Sequence, residues 1–264
     1  MQSQFRNRIS AGFTLLMFGF MYLPLSVLAF YSFNQAPNSA QWTGFTLSWY
    51  IKFFQDSRIL SALRDSLLVA SLATAIAAVI GTLLAIGLAK YQFFGKKLFQ
   101  GAAYLPLIIP DIAIAVATLV FLAVIAVPLS LWTIVAAHVV FCLAYIALVV
   151  STRLVNLDPH LEEAALDLGA TPMQSLVMVL LPQLMPAIVS GCLLAFVLSM
   201  DDFLIASFTA GGGITTLPME IFSRIRTSVR PDMNALSVVL LVISGGLALL
   251  AEGIRYQGEK KRFT

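Results

Sequence analysis

Apolar residues in this chain run in long blocks instead of alternating with polar ones, and the polar positions gather in the gaps. Six blocks reach the length of about 20 residues that a helix needs to cross a bilayer. They run approximately Ala11–Phe33, Ser66–Ala89, Tyr104–Val127, Leu131–Ser151, Leu184–Phe208 and Ala235–Ile254. Pro24, Pro106, Pro110 and Pro186 lie within or at the ends of these blocks. Such breaks are tolerated where neighbouring helices or water satisfy the freed backbone groups. The pattern predicts an all-α integral membrane protein with six transmembrane helices over residues 11–254, a short segment over 1–10 and a basic tail over 255–264.

The gaps are uneven. A tight turn near Pro128–Ser130 joins the third and fourth helices. The connection Asn34–Asp65 is polar and carries Trp42, Trp49 and Tyr50, as an aromatic belt at the membrane interface would. The connection over 152–183 has a pattern of its own. Asp158 reads as a helix N-cap and Pro159 as a first helical residue. Leu161, Ala164, Ala165 and Leu168 then recur at i, i+3, i+4 and i+7 as one apolar stripe, flanked by Glu162, Glu163 and Asp167. Gly169 can take the left-handed conformation that ends a helix. Thr171 and Gln174 are spaced as a capping box around Pro172, and Pro182 and Pro186 bracket the entry to the fifth helix. A compact helical hairpin follows, with two alanines that permit close approach of another backbone.

Composition agrees with the blocks. Of 264 residues, 59% are hydrophobic and 11% charged, against roughly 25% charged in an ordinary soluble domain. A soluble core of this size cannot hide so much apolar surface, so the bilayer is the expected solvent. The net charge is +3, but its distribution matters more. With the N-terminus in the cytoplasm, the inner side receives Arg6, Arg8, Lys90, Lys96, Lys97, Arg153, Arg255, Lys260, Lys261 and Arg262, and the outer side Lys52, Arg58, Arg64, Arg224, Arg226 and Arg230. That bias predicts both termini in the cytoplasm, although Ile205–Asn234 is basic for an outer loop. The first apolar run continues to about Phe33, too long for the core of a signal peptide and without a small-x-small cleavage site, so a retained helix is expected. Cys142 and Cys192 sit inside apolar blocks and read as packed thiols, not as a disulfide or metal ligands.

One run carries a resemblance. Glu163-Ala164-Ala165, three residues, Gly169, nine residues, Val179, one residue and Leu181-Pro182 resembles the EAA motif of bacterial ABC importer permeases, Glu-Ala-Ala-x3-Gly-x9-Ile-x-Leu-Pro. Val179 in place of Ile is the departure from it. From Phe45 onward the chain is similar to the putrescine-type permeases of spermidine/putrescine importers, in Phe45–Tyr50, Ala137–Cys142 with Tyr145, Leu161–Pro172, Met200–Ser207, Thr216–Glu220, Phe222–Arg226 and Pro231–Ser237. The resemblance implies the type I ABC importer permease architecture. In it the hairpin over 152–183, with Glu162 beside the motif, is the coupling helix that docks on an ATPase subunit. It further implies a bacterial inner-membrane permease, not an enzyme, that forms half of a translocation pathway for putrescine or spermidine. The implied partners are a second homologous permease, two copies of an ATPase that carry ATP and Mg, and a periplasmic polyamine-binding protein. No cofactor, metal or nucleic acid is expected on the chain itself.

The candidate chemistry fits that frame. There is no Gly-x4-Gly-Lys-Ser/Thr loop, and Gly211-Gly212-Gly213 has no lysine after it. Asp111, Asp201 and Asp202 are acids inside apolar blocks, where charges are costly and usually functional. Asp201 and Asp202 lie 15 and 16 residues after Pro186, on the order of 22–24 Å along a helix. With Phe203 they suit a gate or transient site for an organic dication, whose ammonium groups favour carboxylates and aromatic faces. Alternatively they cap an unwound helix end or pair with Arg224, Arg226 or Arg230. Asp111, following Pro110, fits a pathway acid or the N-cap of a broken helix. His138 reads as a packed, hydrogen-bonded side chain with no titratable partner near it in sequence, and His160 has no nucleophile or ligand pattern beside it. The rival readings are an ABC permease for another small solute, an ion-coupled secondary transporter, and a membrane scaffold. The second would want internal repeats that the sequence lacks, and the intramembrane acids argue against the third.

Overall fold

The computed structural model describes residues 2–36, 41–227 and 231–260. Among these the regular elements are helical, and extended chain pairs only in an isolated antiparallel bridge between Asn34 and Phe45. In chain order the helices are α1 (Gln2–Tyr31), α2 (Ser48–Gln55), α3 (Ser57–Lys90), α4 (Lys96–Tyr104), α5 (Asp111–Val124) and α6 (Leu131–Val155). They continue with α7 (Leu161–Asp167), α8 (Pro172–Ser175), α9 (Leu181–Asp201), α10 (Leu204–Thr209), α11 (Leu217–Thr227) and α12 (Pro231–Lys260). Five stretches are long and apolar enough to cross a membrane: Ser10–Tyr31, Ser57–Lys90, Leu131–Val155, Pro172–Asp201 and Asp232–Gly253. By length and composition, a bent pair, Lys96–Leu107 with Asp111–Val124, adds a sixth when the two are counted together.

That bent pair corrects the expected third span. Tyr104–Val127 is not one helix. α4 runs into a 3-10 turn at Leu105–Leu107 and is bent by 109° from α5. Pro106 and Pro110 have no N–H to donate, and the residue before a proline avoids the helical conformation. What remains, α5, has 14 residues, or about 21 Å.

The expected fifth span, Leu184–Phe208, is corrected at both ends. At its start, Pro182 cannot donate to the carbonyl four residues back, and its ring crowds that position. The preceding turn widens instead: Leu176–Leu180 is π-helical, with the Leu181 N–H bonded to the Leu176 carbonyl five residues earlier. Consequently α8, the wide turn and α9 form one helical run from Pro172 to Asp201, and Pro182 lies inside it. At its end, Asp202 is extended (φ −69°, ψ 126°), and α10 starts afresh at Leu204. The first connection is shorter than expected, since α3 already begins at Ser57.

The chain divides into two compact units, Met1–Leu60 with Ile221–Ile243, and Ser61–Glu220 with Ser244–Thr264. In the larger unit α6 and α9 pack antiparallel. Gly191, Ala195 and Ser199 recur every fourth residue on α9 and meet Ile146, Cys142 and His138 of α6 in reverse order. All six side chains or backbones are buried. Lipid is about as apolar as leucine, so burial here yields little hydrophobic gain. Small residues instead let two backbones approach and gain van der Waals contact. Elsewhere in this unit the Ser190 hydroxyl donates to the Ala251 carbonyl (3.0 Å), and the Leu217 N–H donates to the Ser66 hydroxyl (2.8 Å).

In the smaller unit, buried Asn34 organises the connection after α1. Its carbonyl accepts from the Trp49 indole (2.7 Å), and its side chain bonds the Gln41 carbonyl and the Thr43 N–H. Asp56 caps α3 through the Arg58 and Ile59 N–H groups and receives both guanidinium nitrogens of Arg224 at 2.7 and 3.1 Å. The Arg224 hydrogen bond holds the Asp56 carboxyl below its ordinary value, with burial opposing. Arg224, one expected candidate partner of Asp201 and Asp202, is thus engaged with Asp56.

Candidate functional site

The hairpin over 158–181 is built from local capping. α7 begins at Leu161, two residues later than the sequence pattern suggests, because Asp158 and Pro159 form a turn in which the Asp158 carboxylate accepts the His160 N–H at 2.9 Å. At the other end Gly169 takes φ +88°. The Gly169 N–H reaches the Leu166 carbonyl (2.9 Å) and the Ala170 N–H the Ala165 carbonyl (3.0 Å). This is a Schellman closure, which satisfies carbonyls that a helix end leaves open. Thr171 and Gln174 then exchange both capping-box bonds, at 3.3 and 2.8 Å.

The faces of the hairpin divide differently from the expected stripe. Ala165 is buried and Leu161 half-buried, while Ala164 is exposed and Leu168 is 90% exposed. The stripe breaks because α7 ends at Asp167, so Leu168 is not on a continuing helix face. Leu168 joins Leu166, Met173, Val177 and Met178 as large apolar side chains facing outward. Val179 and Leu181 are half-buried, and Pro182 is exposed.

The two glutamates also part company. Glu162 forms a salt bridge with Lys90, the last residue of α3 and 72 positions away. Glu163 turns outward and pairs with His160 at 2.9 Å, both largely exposed. The hydrogen bond that His160 donates to the Glu163 carboxylate, and then that carboxylate's charge, hold His160 above its ordinary value. Arg153 at the end of α6 donates to the Gln183 carbonyl at 3.4 Å, which ties α6 to α9.

A second polar cluster sits where α9 stops. The Asp202 carboxylate accepts the N–H groups of Ile205 (3.3 Å) and Ala206 (2.8 Å), so it caps α10. The same carboxylate lies 3.3 Å from Nε2 of His138, offset from hydrogen-bonding alignment. His138 Nδ1 shares a hydrogen bond of 2.7 Å with the Ser199 hydroxyl. His138 is 1% exposed and packs beside Phe141, with ring centroids 5.2 Å apart. Five residues earlier on α6, the Thr133 hydroxyl reaches the Thr209 carbonyl at 2.7 Å. α6 therefore holds α10 at both ends. Asp201, the neighbouring acid, is exposed, and Phe203 is half-buried. Asp111 is exposed in the first turn of α5, on which α10 packs; a negative charge there is favoured by the helix dipole.

Sequence reasoning missed the partnership of His138 with Asp202 because 64 positions separate them. It also missed Ser199 and the Lys90–Glu162 bridge. The spacing Gly191-x3-Ala195-x3-Ser199 is the signal that marks a close-packing face on α9, but it does not name the helix that fills it. Among the described residues no cluster of three metal-ligating side chains forms.

The chain matches the family described as binding-protein-dependent transport system inner membrane component over residues 77–261, which include every residue of both clusters. It is 41% identical over 255 residues to the putrescine transport system permease protein PotI of Escherichia coli strain K12, covering 94% of this chain and 91% of that one. It is 36% identical over 240 residues to the spermidine/putrescine transport system permease protein PotC of Haemophilus influenzae, covering 91% and 93%. A solved bacterial ABC transporter involved in import of the acidic polysaccharide alginate matches with a TM-score of 0.69 over 97% of this chain and 98% of that one. At 16% identity that likeness speaks for the fold alone.

Proposed function

This chain belongs to the family of binding-protein-dependent transport system inner membrane components, and we propose that it forms one half of the translocation pathway of an ATP-driven polyamine importer. The substrate class rests on the extent of likeness to the putrescine and spermidine/putrescine permeases. The observation that carries the mechanism is the hairpin. It is capped at both turns yet presents Leu168, Met173, Val177 and Met178 uncovered, as a surface built to be buried by a partner.

In this reading the partner is an ATPase subunit, present in two copies, which carries ATP and Mg. A second, homologous permease completes the pathway, and a periplasmic polyamine-binding protein delivers the substrate. Both termini and the hairpin face the cytoplasm. Closure of the ATPase dimer on ATP displaces the hairpin. Since Pro172–Asp201 is one helical run of about 45 Å, that displacement passes along α9 to the break at Asp202, where His138 and the α10 cap hold one arrangement. A partner's ligand thereby biases a packed two-state interface. Glu163 and the motif residues Ala164, Ala165, Gly169, Val179, Leu181 and Pro182 serve the docking. Asp111, Asp201 and Phe203 line or gate the pathway, and Asp202 keeps the bend that places them.

Uptake of labelled putrescine and spermidine by cells lacking and then regaining this chain tests the proposal. Restored uptake, competed by the other polyamine, is expected. A complex that assembles with an ATPase but imports neither would overturn the substrate class. Failure to co-purify with an ATPase would overturn the coupling role. Single cysteines at Thr43 and Gln174 test the orientation: an impermeant thiol reagent added outside should label the first and spare the second until lysis.

A further inference from the structure

We propose that the segment Tyr91–Tyr104 is a membrane-surface anchor that lies along the cytoplasmic leaflet and binds anionic phospholipid headgroups. The sidedness rests on the orientation given under Proposed function. α3 ends at Lys90, and Gly95, at φ +81°, turns the chain into α4. α4 and its 3-10 extension stand at 109° to α5. A helix nearly perpendicular to one that enters the bilayer runs close to the membrane plane. The segment is on the hairpin's side of the protein, since Lys90 bonds Glu162 and the Tyr104 hydroxyl bonds Ser151 near the end of α6.

Its side chains divide as an interfacial helix requires. No residue of α4 is buried. Leu98 is 80% exposed, Phe99 51% and Phe93 46%, and Phe94 is fully exposed. The Phe93 and Phe99 rings meet edge to face at 5.9 Å, which joins the turn and the helix into one aromatic surface. At about 100° per residue Leu98, Phe99 and Ala102 share one face of α4, and Lys96, Lys97 and Gln100 share another. Such a surface is costly in water and at home at the boundary of headgroups and acyl chains, with lysines reaching outward from it. The segment contains no acid. Lys90 is engaged by Glu162, so Lys96 and Lys97 offer the charge that complements an anionic leaflet.

The test uses the assembled complex in vesicles of phosphatidylcholine with phosphatidylglycerol. A spin label at F94C, with Cys142 and Cys192 replaced, should collide with oxygen and be shielded from a nickel chelate, while one at Q100C should meet the chelate. The ratio of co-purified phosphatidylglycerol to phosphatidylcholine should exceed that of the bulk vesicle, and K96Q/K97Q should lower the excess by about five-fold per lysine. Chelate access at position 94 would overturn the anchor. Shielding of position 94 from both reagents would show a protein partner there and overturn it as well. An unchanged lipid ratio in K96Q/K97Q would overturn headgroup binding. Polyamine uptake by the same vesicles reports the transporter reading separately, so any of these results in a transporting complex bears on the anchor alone.

Discussion

Replacing Asp202 and Asp201 one at a time separates two acids that are neighbours in sequence and differ in role. Asp202→Ala removes the acceptor for the Ile205 and Ala206 N–H groups at the start of α10. Both residues are buried, at 2% and 0% exposure. Loss of a helix cap costs about 0.5–2 kcal/mol, and a buried donor left without a partner about 1–3 kcal/mol. The two figures describe the same amides and are not summed, so about 2 kcal/mol is expected. At roughly 2–4 °C per kcal/mol for a chain of this size, the melting temperature should fall by about 4–8 °C. Asp202→Asn keeps one acceptor oxygen and should lose about half as much. Asp201→Asn alters an exposed side chain and should cost under about 0.5 kcal/mol. Cys142, buried against α9, provides the assay, because a thiol-reactive dye reads its exposure on unfolding. Uptake completes the comparison: Asp201→Asn should slow polyamine import at unchanged stability. An Asp202→Ala protein that melts within about 1 °C of the parent would refute the cap. An Asp201→Asn protein that melts as low as Asp202→Ala would refute the division of roles.

Three further outcomes follow from the hairpin. Gly169→Ala should cost about 1–2 kcal/mol at this left-handed position, and Gly169→Pro, which also removes the N–H bonded to Leu166, should abolish pull-down of the ATPase; wild-type recovery by the proline variant would sink the docking role. Lys90→Glu or Glu162→Lys should alter stability by less than about 1 kcal/mol, since the pair is partly exposed, but should lower uptake per ATP hydrolysed if the bridge between α3 and the hairpin carries coupling, and the double charge reversal should restore it; singles that couple normally would show that the bridge has no part in coupling. The Glu163 hydrogen bond raises His160, so whatever that pair contributes is complete below the ordinary histidine range and is lost as pH rises through the raised value. The ring signal of His160, one of two histidines in the chain, should titrate above the ordinary value of about 6.5 and return towards it in Glu163→Gln; the same midpoint in both proteins would contradict the pairing.

What the sequence determined by itself was local. Block length names the spans, because a bilayer sets a minimum number of apolar residues. The Thr171–Gln174 box and the left-handed Gly169 were legible because a cap is an interaction over three or four residues. Prolines were legible as breaks but not for their effect: Pro182 widened a turn and left the helix continuous, while Pro110 sits at a sharp bend, just before the first residue of α5. The difference lies in what surrounds the lost hydrogen bond, which sequence does not state. Tertiary structure alone decided the partners of charge. Glu162 and Glu163 look equivalent in the chain, yet one meets Lys90 and the other His160. Asp202 meets His138 because Ser199, Ala195 and Gly191 let α9 lie close against α6. Asp201 ends α9 and Asp202 leaves it in extended backbone, so the point at which α9 stops against α6 selects which of the two neighbouring acids turns inward and which faces outward.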